Sequence, residues 1–113
     1  PGHGLSTGKT MTVPLYSQAV ETLLGRVGEL HAAIGHSVGG FTAVYAFYRK
    51  PELSPRKLVV MAAPGEAQEF FQFFQKVLGV TDRVLELTAK RFEQITGHPP
   101  GYFSAPFFAR HLD

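Results

Sequence analysis

Ser37 is the residue whose surroundings most clearly suggest chemistry. It is the third residue of the segment GHSVGG at positions 35–40, which fits the pattern GxSxG. A short apolar run, 30–34, precedes this segment, and a helix-prone run, 41–48, follows it. The order strand, GxSxG, helix is typical of a sharp turn that exposes a serine hydroxyl for attack on a carbonyl carbon. We therefore predict that Ser37 is a nucleophile.

The glycines around Ser37 suit such a turn. The chain on either side of the serine passes close to itself, so side chains two residues away must be very small. Gly35 and Gly39 meet this requirement. We expect His36 and Gly40 to support the turn as well, His36 by packing against it or orienting it.

A helix that begins at Val38 would direct unpaired N–H groups and the positive end of its dipole toward an oxygen near Ser37. The N–H of Val38 is therefore the predicted donor to an oxyanion. An ordinary glycine-rich turn between a strand and a helix is the alternative, and such turns also bind phosphate.

Five histidines could supply a general base. His36 adjoins Ser37, so we expect its side chain to project away from the serine hydroxyl. His31 falls within a predicted strand and is expected to be structural. His3 lies in the opening loop, where it could border a pocket.

The remaining candidates for a base or an acid lie late in the chain. His98 and His111 belong to a segment that we predict to be irregular, and neither follows a strand that would hold it rigidly. Asp82 resembles a helix cap, and Asp113 is the last residue. A complete triad of serine, histidine and acid is therefore not visible in the sequence.

Gly8-Lys9-Thr10 resembles the end of a phosphate-binding P-loop. That motif needs a glycine five positions before Gly8, where this chain has His3. No strand is predicted before it, and Pro14 occupies a position where the following helix should run. We therefore favour a simple loop.

Composition limits the protein classes that fit. A chain of 113 residues with 44% hydrophobic content can form one small domain. The net charge of +2 comes from scattered Lys and Arg, which argues against a nucleic-acid partner. Without cysteine there is no disulfide or thiolate metal site, and we expect no cofactor. The apolar runs are too short for a membrane span, and a cytoplasmic location is the default expectation.

Hydrophobic periodicity predicts four elements before Gly65. They are a helix over about 16–30, a strand over 30–34, a helix over 38–48 and a strand over 57–63. Both strands are short and apolar, as buried strands of a parallel sheet are. Helices and strands in this order predict an α/β fold with parallel pairing.

The composition changes after Gly65. Amphipathic helices are predicted over 66–78 and 82–96, joined at Gly79, with Thr81 or Asp82 as the N-cap of the second. The tail, 97–113, is expected to be irregular. Eight of the ten phenylalanines lie in this half of the chain. The pairs at 70–71 and 73–74 could line an apolar pocket, but we favour packing of the helix against the sheet.

Three segments resemble the α/β-hydrolase superfamily, and within it the serine hydrolases that have a mobile helical cap. PGHGLSTG at 1–8 resembles the turn after the fourth strand of that fold, and GHSVGG at 35–40 resembles the nucleophile elbow after the fifth. KLVVMAAPG at 57–65 resembles the sixth strand and its exit. The helical pair after Gly65 resembles the beginning of the cap.

The resemblance implies a carboxylic ester hydrolase with Ser37 as nucleophile and Val38 as one oxyanion amide. Its substrate would be a small molecule with an apolar acyl group. The family's His-Gly oxyanion loop would precede Pro1, and its catalytic acid and histidine would follow Asp113. The chain is then expected to be an internal segment of a longer protein, with its core in 1–65 and the cap-like part in 66–113.

A second hypothesis is a non-catalytic binding or assembly module built on the same fold. The missing acid and base and the Phe-rich second half favour it. A sheet with two open edges also tends to pair with other strands, so we expect self-association through those edges.

Overall fold

The computed structural model describes residues 4–112. The helices are α1 (Val13–Val27), α2 (Val38–Arg49), α3 (Ala67–Leu78), α4 (Asp82–Thr96) and α5 (Ala105–Ala109), and the strands are β1 (Ala32–His36) and β2 (Lys57–Met61). Short 3-10 helices cover Pro51–Leu53 and Pro100–Tyr102. The described residues form two compact units, 4–63 with Leu112 and 64–111. The mixed α/β content agrees with the sequence prediction.

β1 and β2 pair in parallel, which confirms the predicted pairing. The register runs from Ala32 opposite Lys57 to His36 opposite Met61. β1 begins and ends two residues later than the predicted strand at 30–34. The residues that pair with β2 set its limits, and they extend past the apolar run. β2 ends at Met61 because the chain turns sharply at Ala62, which has a φ of 49°.

The prediction that both strands are buried is wrong, because Gly35 is the only buried residue in β1 and β2. Side chains alternate between the two faces of a strand. One face lies against α2, since a methyl group on Gly40 of that helix would lie 2.8 Å from Cγ1 of Val60. All residues of the other face are exposed, and we call it the open sheet face: Ala32, Ile34, His36, Lys57, Val59 and Met61.

α1 begins three residues earlier than predicted. Thr12 caps it, with its hydroxyl oxygen accepting a hydrogen bond from the Leu15 N–H at 3.3 Å. Pro14 lies in the first turn, where no intrahelical N–H bond is needed. The expectation that Pro14 is incompatible with a helix at this position is therefore wrong. The helix ends before Gly28, whose φ of 83° suits glycine.

α2 is buried on all sides, which makes it the central element of unit 4–63. Its buried residues are Gly40, Phe41, Thr42, Val44, Tyr45, Ala46 and Phe47. It packs against α1 and both strands. Arg49 also lies 3.6 Å from Glu21 of α1, measured from Nη1 to Oε1. Burial of this kind is expected for a helix that is apolar around its whole circumference. The residue just before α2 is Ser37, so this packing also fixes the position of the serine.

In unit 64–111, α3 and α4 are joined at Gly79, as predicted. Gly79 is left-handed, with a φ of 63°, and Thr81 is the N-cap of α4. Phe71 of α3 meets Phe92 of α4 edge to face, with ring centroids 5.5 Å apart. Phe71 therefore packs against α4, whereas the prediction was packing against the sheet. Phe73 and Phe74 are 59% and 53% exposed, so the packing prediction does not hold for them.

The tail is more regular than predicted. Ser104 caps α5 by accepting a hydrogen bond from the Phe107 N–H at 3.3 Å, and Pro106 lies in its first turn. Phe103 and Phe108 are fully buried. The Phe103 carbonyl accepts from the Ala67 N–H at 2.9 Å, which ties the tail to the start of α3. The serine cap followed by proline was a usable helix signal in the sequence.

Within residues 4–112, no helix has both the length and the apolar character needed to cross a bilayer.

Candidate functional site

Ser37 is the one residue between the end of β1 and the start of α2, and its backbone is strained. Its φ is 53° and its ψ is −129°, a combination outside the regions that residues with a side chain normally adopt. Such a conformation costs about 1–3 kcal/mol and is found mainly at functional sites. The sharp turn that GxSxG indicates is therefore present at Ser37.

Hydrogen bonds hold the Ser37 backbone from both sides. Its N–H donates to the Met61 carbonyl of β2 at 2.9 Å. Its own carbonyl accepts from the Gly40 N–H at 3.0 Å and from the Phe41 N–H at 3.2 Å. The serine is thus fixed between the end of β2 and the first turn of α2.

Close contact between β1 and α2 explains two of the glycines. A methyl group on Gly35 would lie 2.5 Å from the Cα of Gly40 and 2.9 Å from its nitrogen. A methyl group on Gly40 would lie 2.8 Å from Cγ1 of Val60 and 3.0 Å from the Gly35 carbonyl oxygen. Carbon atoms do not approach this closely, so both positions require glycine.

Gly39 does not have the steric role that the sequence predicts. A methyl group there would lie 3.6 Å from the Tyr16 hydroxyl oxygen, which is an ordinary van der Waals distance. The helical turn brings Gly40, three residues after Ser37, against Gly35. Gly39 instead faces α1. The close approach therefore involves positions two before and three after the serine.

Val38 supplies an N–H directly after Ser37 in the chain. As the first residue of α2, it has no acceptor for its N–H within the helix. The Ser37 N–H already donates to Met61. An oxyanion next to Ser37 would therefore meet the N–H of Val38 and the positive end of the α2 dipole.

The Ser37 hydroxyl has no hydrogen-bond partner within residues 4–112. Ser37 is half-buried, and its hydroxyl forms no capping bond with α2. The described part of the chain thus supplies a positioned hydroxyl and a neighbouring amide, without a base in contact with the hydroxyl.

The two histidines nearest to Ser37 in sequence are both exposed. His36 lies on the open sheet face, and its ring has no hydrogen-bond partner among the described residues. That it packs against the turn or orients it stays a prediction. His31 is also exposed and lies at a bend before β1, not within the strand.

The later candidates make local contacts within unit 64–111. His98 stacks on Tyr102, with ring centroids 3.9 Å apart. The Nδ1 of His111 lies 2.8 Å from the Phe107 carbonyl oxygen. Asp82 is the first residue of α4 and not its cap, and its Oδ1 accepts from Gln75 Nε2 at 2.6 Å. His3 and Asp113 lie outside the described residues.

The segment 8–10 lacks the features of a P-loop. Lys9 and Thr10 are exposed and precede α1 in a loop, and no strand comes before them within the described chain. The Gly8 N–H donates to Ser6 Oγ at 3.3 Å. No group of three or more His, Asp or Glu side chains in residues 4–112 could hold a metal ion.

Sequence reasoning missed Met61 and Ala62. Met61 supplies the carbonyl that binds the Ser37 N–H, and it could have been found by aligning the ends of the two parallel strands. Ala62 has the second positive φ among the described non-glycine residues, at 49°. An alanine gives no sequence signal for that conformation.

Comparison with known protein families, curated proteins and solved structures gave no match to this chain. A functional assignment therefore depends on the geometry around Ser37.

Proposed function

We propose that this chain carries the nucleophile of a serine hydrolase of the α/β-hydrolase type, acting on carboxylic esters with an apolar acyl group. The observation that carries the proposal is the strained Ser37 backbone, with φ 53° and ψ −129°, next to the first N–H of α2. The resemblance of three sequence segments and of the following helical pair to that superfamily adds to it.

The reaction would proceed in two steps. Ser37 Oγ attacks the ester carbonyl carbon while a general base takes its proton, and the carbonyl oxygen becomes an oxyanion facing the Val38 N–H. Collapse of this intermediate releases the alcohol, which receives that proton, and leaves an acyl group on Ser37. Water then attacks the acyl carbon while the base takes its proton, and the bond to Ser37 Oγ breaks, which releases the carboxylic acid and returns the proton to Ser37. The base lies outside the described contacts of Ser37.

The turn suits an oxyanion better than a phosphate group. A phosphate site uses several unpaired N–H groups at a helix N-terminus. In the first turn of α2 the Gly40 N–H already donates to the Ser37 carbonyl. The N–H groups of Val38 and Gly39 remain, and that of Val38 directly follows the serine. Strained backbone at a serine is also typical of an exposed nucleophile.

Ser37→Ala is expected to abolish covalent labelling of the full-length gene product by an alkyl fluorophosphonate. Labelling requires an activated hydroxyl, and loss of a serine nucleophile lowers reactivity by at least about a thousandfold. Intact mass and peptide mapping measure the extent and place of labelling. The matched control is Ser6→Ala, which removes a serine in an exposed loop and should label like the wild type. Equal labelling of the Ser37→Ala protein would disprove the proposal.

The open sheet face favours a second function, assembly with a second copy of this chain. Ile34 and Met61 are 70% and 48% exposed there. Each strand also has one edge without a partner strand among residues 4–112. Apolar surface beside unpaired strand edges promotes association between chains. We propose that two copies pair through this region.

Self-association of the 113-residue chain is expected to weaken when Ile34 is replaced by Lys. A charge on the open sheet face opposes contact between two such faces. Sedimentation velocity over about a hundredfold range of concentration would measure the dimer fraction. Leu5→Lys is the control, because Leu5 is fully exposed in the opening loop and belongs to neither strand. A monomer at every concentration, or equal effects of both substitutions, would exclude assembly through this face.

A further inference from the structure

The two strained residues of this chain lie side by side. Ser37 and Ala62 are the non-glycine residues with positive φ among residues 4–112, with values of 53° and 49°. Each is the first residue after its strand. Because His36 lies opposite Met61, Ser37 and Ala62 leave the sheet at the same level of its carboxyl edge. Strain of this kind persists only where the surrounding structure imposes it.

The conformation of Ala62 is connected to Ser37 through one peptide plane. The Met61 carbonyl and the Ala62 N–H belong to the same planar group. A change in φ at residue 62 therefore tilts the carbonyl that accepts the Ser37 N–H at 2.9 Å. That bond is the last rung of the parallel ladder, and the chain turns away directly after it.

The next residue contacts the other side of the Ser37 turn. A methyl group on Gly40 would lie 3.3 Å from the Cβ of Ala63. Gly40 is the residue whose N–H donates to the Ser37 carbonyl. The exit of β2 thus lies against both ends of the turn, through the Met61 carbonyl and through Ala63.

The side chain of Ala62 contributes little to the structure. It is exposed, so its methyl group contributes little packing. An alanine in a left-handed conformation is also less stable than a glycine or an asparagine there. Its effect on the molecule must therefore come mainly from its backbone.

We propose that Ala62 is a positioning residue for Ser37, whose left-handed backbone holds the Met61 carbonyl against the Ser37 N–H and so keeps the serine hydroxyl in its orientation. The catalytic consequence rests on the proposed serine hydrolase function. The positioning itself does not, and it can be measured without any reaction.

The test compares three substitutions at position 62 in the full-length gene product. Val and Asn are similar in size, but Val strongly disfavours a left-handed backbone whereas Asn tolerates it. Gly adopts it freely. Because residue 62 is exposed, side-chain volume should matter little. Hydrogen–deuterium exchange at the Ser37 amide, followed by NMR, reports the Met61 bond. The rate of fluorophosphonate labelling reports the hydroxyl.

Ala62→Val is expected to raise the exchange rate of the Ser37 amide about tenfold, relative to amides in the middle of α2, and to slow labelling by a similar factor. Ala62→Asn and Ala62→Gly are expected to keep both rates near those of the wild type. A merely structural role would change all amides of unit 4–63 together, and would not separate Val from Asn.

Three results would overturn the inference: equal loss of protection in the Val and Asn proteins, loss of protection in the Gly protein, or wild-type protection in the Val protein. If the Val protein does not fold, wild-type exchange in both the Gly and Asn proteins supports the inference, and faster exchange in either refutes it. Absence of labelling in the wild type would refute the hydrolase proposal alone, because amide exchange needs no reaction.

Discussion

Gly35→Ala is expected to disrupt the turn at Ser37 and to destabilise the protein by about 3 kcal/mol, at the upper end of the effects of overpacking. The new methyl group would lie 2.5 Å from the Cα of Gly40. The backbone fixes the position of a Cβ atom, and the Cα of Gly40 belongs to the main chain, so no side-chain rotation relieves the clash. β1 and α2 would have to separate, which would break the hydrogen bonds between the Ser37 carbonyl and α2. Urea unfolding followed by circular dichroism measures the loss.

Gly39→Ala is the matched comparison, with the opposite expectation. Its methyl group would meet only the Tyr16 hydroxyl oxygen, at 3.6 Å. Alanine also favours the helical first turn over the unfolded chain, so stability should remain unchanged or rise by about 0.5 kcal/mol. Similar losses for both substitutions would show that the contact geometry described for this turn is incorrect.

This pair of glycines shows what a sequence motif can and cannot specify. GxSxG places its two glycines symmetrically about the serine. The folded segment is not symmetric, because a strand enters the turn and a helix leaves it. Positions along a strand alternate, whereas a helix advances by 3.6 residues per turn. Gly40 therefore meets Gly35, which only three-dimensional geometry reveals.

Local signals predicted the elements around the site well. The start of α2 at Val38 follows from the glycine-rich turn, and the limits of α4, Asp82–Thr96, follow from its periodicity and from the glycines on either side. α1 was misplaced because Pro14 was interpreted as a loop residue. Thr12 followed by proline at the second helical position is a start signal that the interpretation overlooked.

Burial was less predictable than secondary structure. Ile34 and Met61 are apolar, yet both lie on the open sheet face. Apolar side chains indicate which residues can be buried, but the covering surface depends on what lies opposite. The same reasoning applies to His36. Successive side chains of a strand point to opposite faces of the sheet, and the sequence does not say to which face the His36 side chain belongs.

The conformation of Ser37 depends on the packing of α2, and a substitution at Phe47 tests this dependence. Phe47 is 2% exposed. It belongs to the helix that packs against both α1 and β1, and it borders the same groove as Leu24 and Ala33. Phe47→Ala is expected to lower the free energy of unfolding by about 3–5 kcal/mol, through lost burial and the cavity left behind.

That loss approaches the whole stability of a small domain, which is about 5–15 kcal/mol. The Ser37 turn should then open in a measurable fraction of molecules, because its hydrogen bonds to Gly40 and Phe41 depend on an intact α2. Urea unfolding would measure the loss of stability, and hydrogen exchange of the Ser37 amide would measure the opening of the turn. Phe47→Leu, which keeps most of the apolar volume, should cost about 1.5 kcal/mol or less and leave the turn closed. If Phe47→Ala cost as little as Phe47→Leu, then packing of α2 would not be what holds the serine in its strained conformation.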